Sequence, residues 1–515
     1  LVIMAKRTRA ASGAGRRRNR TGGHVQRRER NRSGSFFLWL QAIVSIILMI
    51  VILMLNMLPV KYLALAALVL LFLWCITFTS QAVRKKKGTS GKVYSFLITC
   101  VLLVGTYYIA ETNNMIAAIT GGTTRVDKMA VAVLEDDYAQ TIEDAADYNF
   151  GIQFRQGGDN IQTAVTNLQE ELGSDLTVTD CGSVQDQAAE LFAGNVDAII
   201  YNEAYTELMD DAVEGFSDNT RIIYEMDIRT EIKLGGGNDA SLTKDVFTVY
   251  ISGIDTYGEV SATSRSDVNI IAVVNPTTHQ ILLVTTPRDS FVPLYGPDVE
   301  QGAMDKLTHA GVYGIETSMA TLGELYGTEI NYFVRLNFTS LIDIVDILGG
   351  VDVYSEYEFT TGEESGCIVE VEEGMNHFNG EQALAFSRER HNLDDGDNQR
   401  GRNQQAVITG LLKKVISPTM LIRAGSLMDQ VSKDVEMNVT RDQLNGLIRN
   451  QLSTNAKWYI QSVDLTGTGG KDYCYSASDQ LLYVSYVDED RLNEIVELTN
   501  IVEEGGTLPE GEALN

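Results

Sequence analysis

Three long apolar stretches stand near the start of the chain: Phe36 to Leu58 (FFLWLQAIVSIILMIVILMLNML), Val60 to Ser80 with a single Lys61, and the shorter Tyr94 to Ala110. A helix rises about 1.5 Å per residue, so about 20 apolar residues span a hydrocarbon core of about 30 Å. Lipid offers the backbone no hydrogen bonds, and the runs within 36–110 are therefore expected to cross the membrane as three helices. Beyond them the stretch 111–127, with Gly121-Gly122, reads as a linker.

The pattern then breaks into short pieces of two periods. Met129 to Leu134, Gly151 to Phe154, Leu176 to Val178, Val196 to Tyr201 and Arg221 to Met226 look like strands, whereas Asn160 to Leu172 and Val184 to Phe192 carry apolar residues at helical spacing. This alternation predicts a small α/β accessory domain over 128–234 with a largely parallel sheet. It is similar in pattern to one lobe of a periplasmic binding protein, which implies ligand binding, although such a lobe serves equally as a spacer or docking module.

A glycine-rich break, Leu234 to Asp239, precedes a larger unit over 245–503. Val246 to Ile254, Asp267 to Asn275 and Gln280 to Thr286 read as strands. Ser340 to Leu348 reads as a helix closed by Gly349-Gly350, and Val351 to Val353 resumes a strand. Thr440 with Gln443 forms a capping box for a helix to Leu452, and Trp458 to Val463 and Leu481 to Val487 read as closing strands. The fold class is α/β throughout: membrane helices, the small accessory domain, then a larger domain with a central mixed sheet flanked by helices. Residues 504–515 are expected to be a disordered acidic tail.

Charge adds an orientation. The 515 residues carry a formal net charge of −28, yet residues 1–35 hold Arg16-Arg17-Arg18 and Arg27-Arg28 against Glu29 alone. Lys and Arg mark cytoplasmic flanks, and the connector with Arg84 to Lys87 and Lys92 is basic too. Three spans with both basic segments inside leave the tail cytoplasmic and everything beyond Ala110 outside. A cleaved signal peptide fits poorly, because the first run is too long and two more follow. Membrane lipid is an expected partner of the basic tail; nucleic acid is not, since topology already accounts for those arginines. The five cysteines make no disulfide scaffold and show no zinc spacing. A bridge between Cys367 and Cys474, both outside, stays open.

The polar residues of the larger unit cluster at strand ends. Gly253-Ile254-Asp255 follows its first strand, Arg265-Ser266-Asp267 opens the second, and Pro287-Arg288-Asp289 follows the third. Open α/β sheets bind ligands at such ends. Ser387-Arg388-Glu389-Arg390 sets two arginines two residues apart, on one face if extended. Asp397, Arg400 and Arg402 to Gln404 come next, entering an apolar helix. Guanidinium forks match phosphate oxygens, and two Asp beside them would hold a hard cation. A structural ion-pair network is the alternative.

With GID at Gly253 to Asp255, RSD at Arg265 to Asp267, PRD at Pro287 to Asp289, KLTHA at Lys306 to Ala310, LGGVDV at Leu348 to Val353 and NGEQALAFSRERHNLDDGDNQRGRNQQ at Asn379 to Gln405, the chain resembles the LytR-CpsA-Psr family. The resemblance is strong over Asp245 to Val415. It implies a phosphotransferase at the outer membrane face of a Gram-positive bacterium. Such an enzyme moves a glycopolymer phosphate, such as teichoic acid or capsular polysaccharide, from a polyprenyl pyrophosphate carrier to peptidoglycan. Carried over by motif, Asp255 and Asp267 would bind Mg²⁺ or Mn²⁺. Arg265, Arg288, Lys306, Arg388, Arg390, Arg400 and Gln404 would contact the pyrophosphate. Asp397 and Asp289 would orient arginines or assist proton removal, so that Arg388, Arg390, Asp397, Arg288 and Asp289 form the catalytic set. Gly311 departs from the family, which often has an aromatic residue there.

No Ser/His/Asp or Cys/His set is evident, and His309 is expected to pack. Walls for the lipid tail are expected from Ser340 to Leu348, Ile270 to Val274 and Ile281 to Val284. Two rival readings stay open, a non-catalytic extracytoplasmic receptor or membrane-bound transcriptional regulator, and a polyprenyl pyrophosphate hydrolase. The glycopolymer and the oligomeric state are left undetermined.

Overall fold

The three apolar runs form helices α1 (Arg32–Leu55), α2 (Val60–Ala82) and α3 (Thr89–Ile119) of a computed structural model. It describes residues 32–82, 89–119, 124–155, 158–232, 241–254, 260, 262–393, 396–417, 420, 435–477 and 480–513. The basic tail and most of the basic connector lie outside these residues. Each helix contains a segment of 22 residues long and apolar enough to cross a membrane, and together they anchor the chain. α1 stops at Leu55, three residues earlier than the apolar run, because Asn56 turns to a φ of 55° and Pro59 follows. On α1 the buried Gln41 accepts hydrogen bonds from Thr77 of α2 (2.7 Å) and Ser95 of α3 (2.9 Å). One amide thus ties three helices where lipid-like packing alone has little preference.

The α1–α2 turn is docked on the C-terminal domain. The Asn445 amide donates to the Leu55 carbonyl (2.8 Å), Lys61 donates to the Ser453 carbonyl (3.2 Å), and Arg449 bonds Asn56. Met57 is buried against Ile448 and Leu452 of the same helix, Arg441–Thr454. Turn and domain therefore share one side of the membrane, as an odd number of spans requires. The expected linker 111–127 is largely structured: α3 runs on to Ile119 and strand β1 begins at Thr124. Met115 to Ile119 are mostly good helix formers, and the strand end is pinned by Arg125, so only 120–123 are left between.

The accessory domain is a sheet in the order β3–β2–β4–β1–β5, from β1 (Thr124–Leu134), β2 (Asn149–Ile152), β3 (Thr177–Asp180), β4 (Ala198–Asn202) and β5 (Thr220–Glu231). Its sheet is mixed, which corrects the largely parallel expectation: β2 runs parallel to β3 and β4, but β1 is antiparallel to β4 and β5. The connection from β4 to β5 is three short helical segments, and β5 pairs with the first strand rather than extending a parallel edge. Along β1, Met129, Val131 and Val133 face helix α4 (Gly158–Leu172), whereas Ala130 and Ala132 face α5 (Val184–Phe192). Both faces are covered, so the strand reads as a continuous apolar run.

The α5 face also meets Leu294, Val299, Ala310, Val312 and Tyr313 of the larger domain in one buried cluster. At its border Arg125 donates to Asp127 (2.9 Å), Asp298 (2.7 Å), Glu316 (3.0 Å) and the Tyr313 carbonyl (3.1 Å). The two domains are thus joined by a core and by a nearly buried cation.

The larger domain is built on a seven-stranded mixed sheet. Its order is Val435–Met437, Tyr332–Leu336, β6 (Phe247–Gly253), β7 (Val268–Asn275), β8 (Gln280–Thr285), Tyr459–Asp464 and Glu512–Ala513. Helices Ile315–Tyr326 and Glu489–Glu503 cover one face through Met319, Leu322, Ile495 and Leu498. Helices Gly396–Ile416 and Arg441–Thr454 cover the other. Residues 504–513, expected to be disordered, are ordered instead. Leu508 is buried in the main core with its N–H bonded to Gln280 (3.1 Å), and Glu512–Ala513 adds the last strand. Glu510 N–H also bonds Gln461 (3.0 Å), so this order within 504–513 rests on contacts with the core and the sheet. Cys367 and Cys474 are free thiols in separate apolar clusters, which closes the question of a bridge between them.

Arg125→Met would strand Asp127 and Glu316 without their cation in a buried border. A destabilisation of about 3–5 kcal/mol is expected, read as a lowered unfolding midpoint in denaturant and as faster hydrogen exchange along β1.

Candidate active site

β6 and Tyr332–Leu336 are parallel and in register at Gly253 and Leu336, so two chain segments leave the sheet side by side at their C-terminal ends. Val268, opening β7, lies across from Gly253. Over this end sits a cavity of about 340 Å³, the lower range for small-molecule sites. Its lining includes the apolar Ile251, Ile254, Val268, Leu336, Phe338, Leu341, Leu384, Val407 and Ile408, and the charged or polar Asp267, Arg288, Glu364, Arg388, Arg390, Arg400 and Gln404. The expected walls are corrected in part: Leu341 comes from the helix named, but Ile270 to Val274 and Ile281 to Val284 lie in the sheet's packed core, further from its ends.

Helix Gly380–Arg388 delivers the first pair of arginines. Its N-terminus is a capping box, Asn379 accepting from the Gln382 N–H (2.9 Å) and Gln382 from the Asn379 N–H (3.0 Å). Gly380 packs directly on the preceding helix, where a Cβ would stand 2.4 Å from the Ile342 carbonyl oxygen. Arg388 ends the helix, where its charge suits the C-terminal dipole, and its guanidinium lies 4.3 Å from the Phe338 ring centroid. The chain then turns out at Glu389 and places Arg390 in the same cavity.

That turn is organised by Glu389, which the sequence reading left without a role. Its buried carboxylate accepts from the N–H groups of Arg390 (3.0 Å), His391 (2.9 Å) and Asn392 (3.0 Å), and from Gly362 N–H (2.5 Å) and the Ser365 hydroxyl (3.0 Å). Burial alone would raise its pKa; these hydrogen bonds outweigh burial and hold it below the ordinary carboxylate value. An acid between two arginines in Arg388-Glu389-Arg390 was the signal available.

Helix Gly396–Ile416 supplies Arg400, Gln404, Val407 and Ile408 at helical spacing, so one stripe carries both charge and grease. Gln404 donates to the Ser387 carbonyl (3.3 Å), tying this helix to the arginine-bearing one. Arg402, on another face, bonds Glu356 (3.2 Å) and Asp464 (3.4 Å) instead. The Asp397 backbone lies in the first turn of the helix; its side chain is outside the described residues, as is all of Asp255.

Arg288 donates to Asp267 (2.9 Å), whose other oxygen accepts from Thr308 (3.3 Å). Behind Arg288, Lys306 donates to Asp289 (2.7 Å), and Arg288 Nε stands 3.8 Å from the same carboxylate. Burial would raise the Asp289 pKa, but Lys306 first, then Arg288 and Arg400, bring it below the usual range. Lys306 and Asp289 thus back the cavity without lining it. Arg265 is placed elsewhere: it bridges Glu207 (2.5 Å) and Asp211 (3.6 Å) of the accessory domain and does not line the cavity. Gly311 explains its own departure from the aromatic, since a Cβ there would stand 2.5 Å from the Ser264 carbonyl oxygen.

A Ser/His/Asp contact does form, contrary to the expectation that no such set is present. His309 is fully buried, and both Asp305 and the Ser476 hydroxyl lie 2.7 Å from its Nδ1. Nucleophile activation needs the acid and the serine on opposite ring nitrogens, so this cluster holds the fold. Among the described residues no group of three His, Cys, Asp or Glu could hold a metal ion.

A family model described as LytR_cpsA_psr matches residues 214–499, more than half of the chain. The protein belongs to the LytR-CpsA-Psr family. A second model, DNA polymerase processivity factor, matches 85–201, less than a quarter of the chain. Similar proteins include the polyisoprenyl-teichoic acid–peptidoglycan teichoic acid transferase TagU of Bacillus mycoides, 31% identical over 46% of this chain and 74% of its own. The Bacillus anthracis TagU is 33% identical over 39% of this chain and 64% of its own. Among solved structures, Bacillus subtilis TagU is 29% identical with a TM-score of 0.39, covering 52% of this chain and 100% of its own.

Glu389→Gln is expected to lose about 2–3 kcal/mol of stability at neutral pH, the scale of lost charged hydrogen bonds. Because the folded pKa lies below the ordinary value of 4.5, the contribution is complete above that value and fades as pH falls through the lower folded one. Thermal unfolding of the two proteins should therefore converge as the pH falls through that lowered folded value.

Proposed function

We propose that the outer domain transfers a glycopolymer phosphate from a polyprenyl pyrophosphate carrier to a peptidoglycan hydroxyl. The observation that carries this reading is a single cavity lined both by four arginines, Arg288, Arg388, Arg390 and Arg400, and by nine apolar side chains. A phosphate group on a prenyl chain has the same two halves. The names of the similar transferases point the same way, and the membrane anchor keeps the domain beside a lipid-borne donor.

The acceptor oxygen would attack the phosphorus next to the sugar, the bond to the bridging oxygen would break, and polyprenyl phosphate would leave with the electron pair. Such displacement asks for positioning and charge neutralisation more than for a covalent partner, and one arginine in place is worth about 10³ to 10⁵ in rate. Arg388, over the ring of Phe338, and Arg390, next to the turn organised by Glu389, are assigned to the phosphate oxygens together with Arg400 and Gln404. Asp289 is a poor base, because the neighbouring cations that lower its pKa also lower its affinity for a proton; its role would be to hold Arg288 and Lys306. Asp397 is the candidate to accept the hydroxyl proton.

Asp267 and Asp255 would hold Mg²⁺ or Mn²⁺. The fit rests on a hard oxygen donor, Asp267, in the cavity wall, bonded by its N–H to the Gly253 carbonyl two residues before Asp255. When bound, such an ion would neutralise charge on the leaving phosphate.

Arg388→Ala in the full chain is expected to lower transfer of a labelled carrier-linked glycan to peptidoglycan at least about a hundredfold with the fold retained. Unchanged transfer would remove Arg388 from the site. Release of free glycan phosphate with no acceptor-linked product would mark a hydrolase instead. Asp267→Asn should lose the stimulation of the reaction by added Mg²⁺; equal stimulation in both proteins would count against the metal assignment.

A further inference from the structure

The accessory domain reaches the catalytic motifs at Arg265. Glu207 and Asp211 stand four residues apart on the short helix Thr206–Ala212, and the Arg265 guanidinium meets both, at 2.5 Å and 3.6 Å. The two carboxylates are 65% and 53% exposed, whereas Arg265 is 17% exposed. Its Nε is buried with no hydrogen-bond partner among the described residues. The guanidinium therefore still has donor capacity to offer, and its present partners are the wetter and looser members of the contact.

Both sides of this contact are built in. The helix that carries the carboxylates is seated on the larger domain: Leu208 and Met209 are buried in the shared cluster, and the Tyr205 and Tyr313 rings meet at 6.3 Å. The Arg265 segment is held by β1, with Thr263 N–H bonded to the Val126 carbonyl (3.0 Å) and the Thr263 hydroxyl to Asp127 (3.1 Å). It is also packed close to Gly311, where no side chain would fit. Two residues further on, Asp267 is already in the cavity wall beside Arg288.

We propose that Glu207 and Asp211 of the accessory domain are positioning residues for the transfer site, holding the Arg265 side chain outside the cavity until a pyrophosphate competes for it. This rests on the reading of the cavity as a prenyl pyrophosphate site. The accessory domain then sets donor affinity: its carboxylates compete with the incoming phosphate oxygens for one guanidinium.

The test is a thermodynamic cycle on the full chain in detergent, with geranylgeranyl pyrophosphate as the probe. Glu207→Gln with Asp211→Asn should tighten binding about two- to fivefold, the range for exposed ion pairs, and Asp211→Asn alone should shift it the same way. In an Arg265→Ala background the same substitutions should change nothing, which a merely structural role of the helix would not produce. Unchanged or weaker binding in the double variant, or an equal shift without Arg265, overturns the proposal. A wild-type chain that fails to bind the probe overturns the functional reading as well, so the two failures are told apart. Circular dichroism of each variant shows that the fold is kept.

Discussion

Bringing four guanidinium groups to one half-buried cavity is the constraint around which the outer domain is arranged. Like charges repel most where water is scarce, and each arginine needs something that holds it without cancelling its use. The solutions differ from arginine to arginine. Arg288 is fixed by the carboxylates of Asp267 and Asp289, Arg388 by the face of an aromatic ring, and Arg390 by a backbone turn gathered around Glu389. Arg400 is carried on a helix whose next turns are apolar. An anion entering the cavity meets charge already oriented, and little reorganisation is left for the moment of reaction.

The secondary structure was legible because most elements are bounded by local signals. The strand Leu481–Val487 and helix α5 have the limits that their patterns predicted, and the Thr440–Gln443 box starts its helix as read. What failed was whatever depended on tertiary partners. The direction of β1 in its sheet, the order of the chain end and the extent of α3 follow from packing across the molecule, and no window of sequence contains that. The candidate site divides in the same way. Arginines in long motifs could be picked out, and Arg288, Arg388, Arg390 and Arg400 do share one cavity. Phe338 and Glu389 were passed over because a ring and an acid have unremarked duties in most folds, and only distance reveals that they hold arginines. Arg265 shows the converse, since its motif says nothing about the accessory-domain carboxylates it pairs with.

The two outer domains are not beads on a string. A single apolar cluster runs from α5 into the larger domain, and Arg125 closes its edge with three carboxylates. With such a border, movement of one domain as a free body would expose apolar surface and strand charge. Small rearrangements at exposed side chains, such as those around Glu207, remain inexpensive by comparison.

The docking of the α1–α2 turn on helix Arg441–Thr454 has a consequence for geometry at the bilayer. That helix follows the edge strand Val435–Met437, which pairs with the strand ending at Leu336 in the cavity wall. The cavity is therefore tied to the membrane anchor through one helix and one pair of strands, rather than hanging on a free linker. Any ligand that enters this cavity meets it in an orientation that the helix bundle has already chosen.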